Sequence, residues 1–351
     1  MISLLLDVDT GIDDAVALAY LASLPDVEFV AVTASAGNAG VHQVAQNTLA
    51  LLELCGRHGV EVAVGAEAPL EVPLVTTPET HGPQGLGHAV LPPPSGSVSE
   101  RDAADLWVEA ARARPGELTA LITAPLTNFA LAIRREPRLP ELLRRTVIMG
   151  GSFYHQGNTT PLAEWNTHVD PHAAKEVYAA YRGLPEEQLP IVCSLDTTER
   201  IELRPEHVRR LAEAAGCAVE ELVLPDQPEG LRSTSGNELV RQLSDALRFY
   251  FEFHRRYDQG YVAHIHDFFA AGVAAGTLEY STRPATVDVE TESPLLIGTT
   301  VADFRNLWGH PANARIVSDN NPAAAFDELV ASVGGLARRL ADGDGARRAR
   351  R

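Results

Sequence analysis

The sequence predicts an α/β protein built on one open, mostly parallel sheet with helices on both faces. Three observations lead there. Short apolar runs alternate with helix-length segments through the first half of the chain. The 351 residues are 45% hydrophobic and 22% charged, enough apolar material for a large core. The polar clusters follow the apolar runs, and ligands of open parallel sheets bind beyond the carboxyl ends of the strands.

Residues 2–7 form a short apolar run, hence a buried strand, and residues 15–22 read as a helix after an acidic turn. Strands at 29–34 and 60–64 flank a helix at 41–55. Residues 65–99 are rich in Pro and Gly, and such long connections are often functional. A strand at 119–123 precedes a helix of about a dozen residues; strands at 146–149 and 191–195 complete the parallel set. Residues 235–257 read as a long amphipathic helix carrying several aromatics, and another helix begins near Asp267. Late strands are expected at 286–289 and 315–317, and a last helix over 322–340. No repeat or low-complexity linker divides the chain. One domain is expected over 1–340, with 341–351 as a flexible tail containing four arginines.

Composition excludes several functions. The formal net charge of −18 repels phosphates and argues against nucleic-acid binding. Cys55, Cys193 and Cys217 are odd in number and form no C-x-x-C pair, against a disulfide framework or a thiolate zinc site. The apolar run at 2–6 is too short for a signal-peptide core, and no stretch reaches membrane-spanning length, so a cytoplasmic protein is expected. Lys175 is the only lysine, which leaves little room for Schiff-base or P-loop chemistry.

The sharpest feature is Asp7-Val8-Asp9-Thr10-Gly11-Ile12-Asp13-Asp14, directly after the first strand. Asp suits a helix cap and the helix dipole, but a cap uses one carboxylate. Four crowded carboxylates repel one another and call for a cation or a shared proton. Their hard oxygens suit calcium or magnesium. An EF-hand loop would need its Gly at the sixth position, whereas Gly11 is fifth from Asp7 and the segment follows a strand. A phosphatase of the haloacid dehalogenase type also begins with D-x-D after a strand, but it uses a later lysine, and Lys175 has no matching acidic motif nearby.

The D-x-D-x-G-x-D-D turn resembles the signature of the inosine-uridine preferring nucleoside hydrolase family. Other segments match that family in order: Ala36-Gly37-Asn38, His81-Gly82 with Gly85-Leu86-Gly87, and Thr123-Ala124-Pro125-Leu126-Thr127-Asn128. They continue through Gly150-Gly151, Asn158, Glu164-Trp165-Asn166, Asp170-Pro171 and His266-Asp267. The resemblance implies a single-domain, Rossmann-like fold that splits the N-glycosidic bond of a ribonucleoside with water, using one calcium. By residue match, Asp9, Asp14 and Asp267 bind the metal with carboxylates and Thr123 with its carbonyl. Asp9 is also the general base. Asp13, Asn38, Asn158, Glu164 and Asn166 hold the ribose. His266 is the candidate proton donor to the leaving base, and His81 a second pocket residue.

A packed helix-cap role for His266 and an ordinary loop role for His81 stay open. His264 is expected to be incidental and Trp165 to be a packing residue; Tyr257 and Tyr261 lie where the family closes over the base. Ala124 and Phe268 replace the family's usual Gly and Pro, which puts the base preference in question. Alternative readings are a hydrolase of a modified nucleoside or other N-riboside, and a non-catalytic nucleoside- or calcium-binding protein. The resemblance also implies a homodimer or homotetramer.

Overall fold

The computed structural model describes residues 1–217 and 224–348. Its strands, in chain order, are β1 (Ile2–Val8), β2 (Val27–Ala34), β3 (Val62–Val64), β4 (Leu118–Ile122), β5 (Arg145–Met149) and β6 (Ile191–Cys193). They continue as β7 (Glu202–Leu203), β8 (Ala263–His264), β9 (Tyr280–Val289), β10 (Thr300–Asp303) and β11 (Ala314–Asn320). Nine form one sheet in the order β10-β9-β11-β6-β5-β4-β1-β2-β3, and β7 and β8 pair separately. From β11 to β3 every pairing is parallel; β9 and β10 add an antiparallel edge.

The parallel strands are short and apolar because both their faces are covered. Leu4, Leu6 and Val8 of β1 face one buried cluster, under helices Ile12–Ser23, Val41–Leu54 and His266–Ala275. Leu5 faces the other, with Trp107 and Phe129 from helices Ala103–Ala113 and Thr127–Arg135. That alternation is the period-two pleat of a strand read on both sides.

β1 is flanked by β2 and β4, so the strand order reverses there. This reversal opens a crevice at the carboxyl ends of β1 and β4. The acidic turn leaves β1 at that point and Thr123 leaves β4, with the Thr123 N–H donating to the Asp7 carbonyl at 2.9 Å.

Several boundaries differ from the sequence expectation. The first helix begins at Ile12 rather than residue 15, because Gly11 already serves as its cap. Helices Ala103–Ala113, Pro171–Ala180 and Pro205–Ala214 had no clear signal in the sequence reading. β9 is longer than expected, and β10, short and at the sheet edge, was missed. The last helix, expected to stop near residue 340, continues to Arg348. The expected tail is therefore helical over 341–348, and 349–351 lie outside the described residues. Glycine in a helix costs only about 1 kcal/mol against alanine, so Asp342-Gly343-Asp344-Gly345 does not stop it, and no proline follows. Among the described residues no helix is long and apolar enough to cross a membrane.

Trp107 is fully buried, meets the Phe129 ring edge-on at 5.2 Å, and donates from Nε1 to Thr33 Oγ1 at 2.9 Å. Trp107→Ala is expected to lower stability by about 3–5 kcal/mol in equilibrium urea unfolding. A loss below about 1 kcal/mol would show that the site collapses to fill the hole.

Candidate active site

Asp13 and Asp14 sit in the first turn of helix Ile12–Ser23. The Gly11 N–H donates to Asp14 Oδ2 at 2.8 Å, pairing one helix-end donor that would otherwise be free. Thr123 Oγ1 donates to Asp14 Oδ1 at 2.8 Å. Asp9 Oδ2 accepts the Asn38 N–H at 2.8 Å, while its Oδ1 is buried without a protein partner. Asp267 arrives from the far end of the chain, in the first turn of helix His266–Ala275. Asp13, Asp14 and Asp267 each present a ligand atom, and these lie within 4.8 Å of one another.

Two glycines permit this closeness. A Cβ on Gly37 would overlap Asp9 Oδ2 and press on Pro125 Cδ at 3.0 Å. A Cβ on Gly11 would stand 2.5 Å from Asn38 Nδ2 and 2.7 Å from His81 Nδ1.

Asp7 departs from the sequence expectation. Its side chain lies within β1 and accepts from Thr33 Oγ1 at 2.6 Å, Asn128 Nδ2 at 2.9 Å and Ser35 Oγ at 3.0 Å. Burial pushes its carboxyl up to about 7 despite these donors. The crowd is therefore Asp9, Asp13 and Asp14 joined by Asp267.

Burial is the first cause of a raised pKa at each of these four. Asp9 is held well above the usual carboxylate range by burial and then by Asp14. Asp13 is raised to about 7 by burial and Asp14. Asp14 is raised to about 6 by burial, with the Gly11 N–H and the Thr123 hydroxyl pulling it back. Asp267 is raised well above its usual range by burial, then by Asp13, Asp14 and Asp9. The donor set is all carboxylate oxygen and buried, and Asp9 Oδ1 and Asp13 Oδ1 have no protein partner. That chemistry fits a hard divalent cation. Asp13 converges on Asp14 and Asp267, and Asp9, whose Oδ1 is buried without a protein partner, adds its charge to the same group. The Thr123 carbonyl also faces this region and already accepts Asn166 Nδ2 at 3.0 Å.

Beside the cluster opens a cavity of about 320 Å³. Every expected site residue lines it except Asp9 and Asp14, which are fully buried behind the lining. Asn38 Oδ1 has no protein partner. Glu164 caps helix Trp165–Val169, accepting N–H groups from Asn166 at 2.7 Å and from Gly151 and Thr167 at 2.9 Å. Burial raises its carboxyl nonetheless. Asn158 Oδ1 accepts the Trp165 N–H at 2.9 Å. Trp165 lines the cavity too, and its buried Nε1–H has no protein partner.

The opposite end is a group of imidazoles and aromatics. His81 Nδ1 accepts the Ile12 N–H at 3.1 Å, so its proton is on Nε2. Burial and His254 push His81 down to about 3, a neutral ring. His254 Nδ1 is 2.8 Å from the Tyr250 carbonyl, and burial followed by His264 lowers it to about 3. His266 Nδ1 is 2.9 Å from Thr198 Oγ1; burial, then its histidine neighbours, hold it well below its ordinary value. Tyr250, Phe253, His254, Glu199 and His264 line the cavity and were not anticipated. The spacing of Tyr250 and His254, one helical turn apart, was the available signal. His264, expected to be incidental, is a lining residue, as is Tyr257. Tyr261 stacks instead on Phe251 at 5.1 Å. Phe268 is fully buried and meets Tyr20 edge-on at 4.9 Å, so its bulk goes into the core and leaves the cavity alone.

A raised carboxyl pKa makes the cation-free fold bind protons more tightly than the unfolded chain. Its stabilising contribution is complete below about 4 and is lost as pH rises through the 6–7 range of Asp14 and Asp13. In chelator, the melting temperature is therefore expected to fall as pH rises from about 5 to 8, and a divalent cation should restore it at the upper end. A flat profile, with no response to cation, would remove the metal reading.

The profile of the inosine-uridine preferring nucleoside hydrolase family matches residues 4–327. A pyrimidine-specific ribonucleoside hydrolase of Shewanella oneidensis is 33% identical, over 94% of this chain and 95% of its own. One of the same name from Citrobacter koseri is 32% identical, over 93% and 96%. Among solved structures, a purine-preferring ribonucleoside hydrolase from Gardnerella vaginalis superposes with a TM-score of 0.83 at 23% identity, covering 96% of this chain and 99% of that one. The last likeness speaks to the fold; the family match and the sequence relatives place the chain. With a family profile spanning nearly its whole length, this chain belongs to the inosine-uridine preferring nucleoside hydrolases and is an N-ribosyl hydrolase.

Proposed function

We propose that the chain hydrolyses ribonucleosides to ribose and free base, with calcium held by Asp9, Asp14, Asp267 and the Thr123 carbonyl and Asp13 beside it. The observation that carries this is the set of converging, partly unpartnered carboxylates next to one cavity at the carboxyl ends of β1 and β4. Bound calcium supplies the positive charge that keeps these carboxylates ionised and a ligation point for sugar hydroxyls.

The chain's own groups then divide the work. Asp9 Oδ1, free of protein partners, takes the proton of the attacking water. Asp13, Asn38, Glu164, Asn166 and Asn158 hold the ribose hydroxyls with carboxylate and amide groups. As the C1′–N bond lengthens the sugar gains oxocarbenium character, which the surrounding carboxylates stabilise. No Lys or Arg among the described residues lines the cavity, while Glu79, Glu164 and Glu199 do, which favours an uncharged nucleoside over a phosphorylated one. The same reading includes a cytoplasmic homodimer or homotetramer.

Ribose release from uridine, cytidine, inosine and adenosine, with calcium present, tests the reading. Uridine and cytidine come first because of the names the sequence relatives carry. Turnover is expected to stop in chelator and return with calcium. Tight binding of a ribose analogue without turnover of any nucleoside or N-riboside would instead mark a binding protein. Asp9→Ala is expected to lower kcat by about 10²–10⁴-fold while the protein still melts cooperatively. Near-normal turnover would remove Asp9 from the mechanism.

A further inference from the structure

We propose that His264, supported by Glu199, is the acid that protonates the departing base. This rests on the cavity being a nucleoside site. β7 and β8 form a small antiparallel pair apart from the main sheet, with Glu202 opposite His264 and Leu203 opposite Ala263. The Ile265 N–H adds a bond to the Ile201 carbonyl at 3.3 Å. This pairing holds the His264 ring beside Glu199, at the end of the short helix Leu195–Thr198.

His264 Nδ1 is 3.0 Å from the Glu199 carbonyl oxygen and 3.1 Å from Glu199 Oε2. Two acceptors from one residue fix the proton on Nδ1. Nε2 is left to exchange a proton with a ligand, and the Glu199 carboxylate and carbonyl hold the ring in one orientation. Both side chains are mostly buried, 10% and 21% exposed, yet both line the cavity.

The other imidazoles lack this arrangement. His266 Nδ1 meets a threonine hydroxyl, which can donate or accept and carries no charge. His254 Nδ1 meets only the Tyr250 carbonyl, and His81 spends Nδ1 as an acceptor. The groups that face His264 are Glu199, the His254 ring at 5.0 Å and the His266 ring at 5.9 Å. Glu202, across the strand pair, is bound to Arg204 at 2.5 Å. Glu199 is thus the acidic partner of the ring, and a positioning residue for it.

The step balances. The C1′–N bond breaks and its electron pair stays with the base. The proton on His264 Nε2 moves to the base, and Nε2 keeps its own pair. The water oxygen bonds to C1′ and gives its proton to Asp9. Exchange with solvent then removes the proton from Asp9 and returns one to His264. The net change is nucleoside plus water to ribose plus base.

The test compares kcat/KM for the fastest nucleoside of the panel with kcat/KM for p-nitrophenyl β-D-ribofuranoside, whose leaving group needs no proton. His264→Gln is expected to lose about 10²–10³-fold on the nucleoside and less than about tenfold on the nitrophenyl riboside. Glu199→Gln is expected to lose about tenfold on the nucleoside. The loss should fall on kcat with KM little changed, and the nitrophenyl riboside should lose less than about threefold, because a misplaced ring impairs only the proton transfer to the base. Equal losses on the two substrates, or a selective loss in His266→Gln alone, would overturn the assignment. If His264→Gln does not fold, equal losses on the two substrates in Glu199→Gln overturn it. Wild-type protein inactive on both substrates would overturn the nucleoside reading and this assignment with it.

Discussion

Asp9, Asp13, Asp14 and Asp267 are crowded into one buried pocket wall, and much of the surrounding architecture contains the repulsion this creates. Two full charges 4.8 Å apart repel by roughly 3–4 kcal/mol at an effective dielectric near 20. The fold offsets part of this with neutral donors: the Gly11 and Asn38 N–H groups and the Thr123 hydroxyl. Helices Ile12–Ser23 and His266–Ala275 both begin at the cluster, so the positive ends of two helix dipoles lie there. What remains is relieved by protons or by a divalent cation, and this couples the stability of the core to the occupancy of the site.

The turn that carries most of these carboxylates is held from beneath. Asp7 joins Thr33 and Ser35, at the end of β2, to Asn128 in the helix after β4. Trp107 closes this network through Thr33. Asn128 also accepts the Ala66 N–H and donates to the Ala34 carbonyl. The loops leaving β1, β2, β3 and β4 are thereby fixed to one another before any ligand arrives, the preorganisation an electrostatic site needs.

The base end is assembled differently, from segments that reach over the sheet. The connection bearing His81 is tied to helix Glu238–Arg256, which bears Tyr250 and His254. His88 Nε2 meets Glu252 Oε2 at 2.8 Å, and Gln242 bonds both the N–H and the carbonyl of Val90. His264 comes from the separate strand pair β7–β8. The sugar end thus rests on strand termini, and the base end on loop-to-helix contacts.

How much was legible in the sequence follows this division. Apolar runs separated by helix-length segments determined the parallel sheet, since a strand buried on both faces must be apolar throughout. The acidic turn and Thr123 directly follow strands, so their place at one sheet end could be read without coordinates. Other features needed the tertiary structure. Sequence order cannot tell that Asp7 turns into a network of Thr33, Ser35 and Asn128 while Asp13 joins Asp14 and Asp267, because side-chain direction along a turn depends on packing. Nor can it tell that Glu199 stands beside His264, or that Phe268 fills the core. Those contacts join segments far apart in the chain, and the packing of helices and strand pairs against the sheet brings them together.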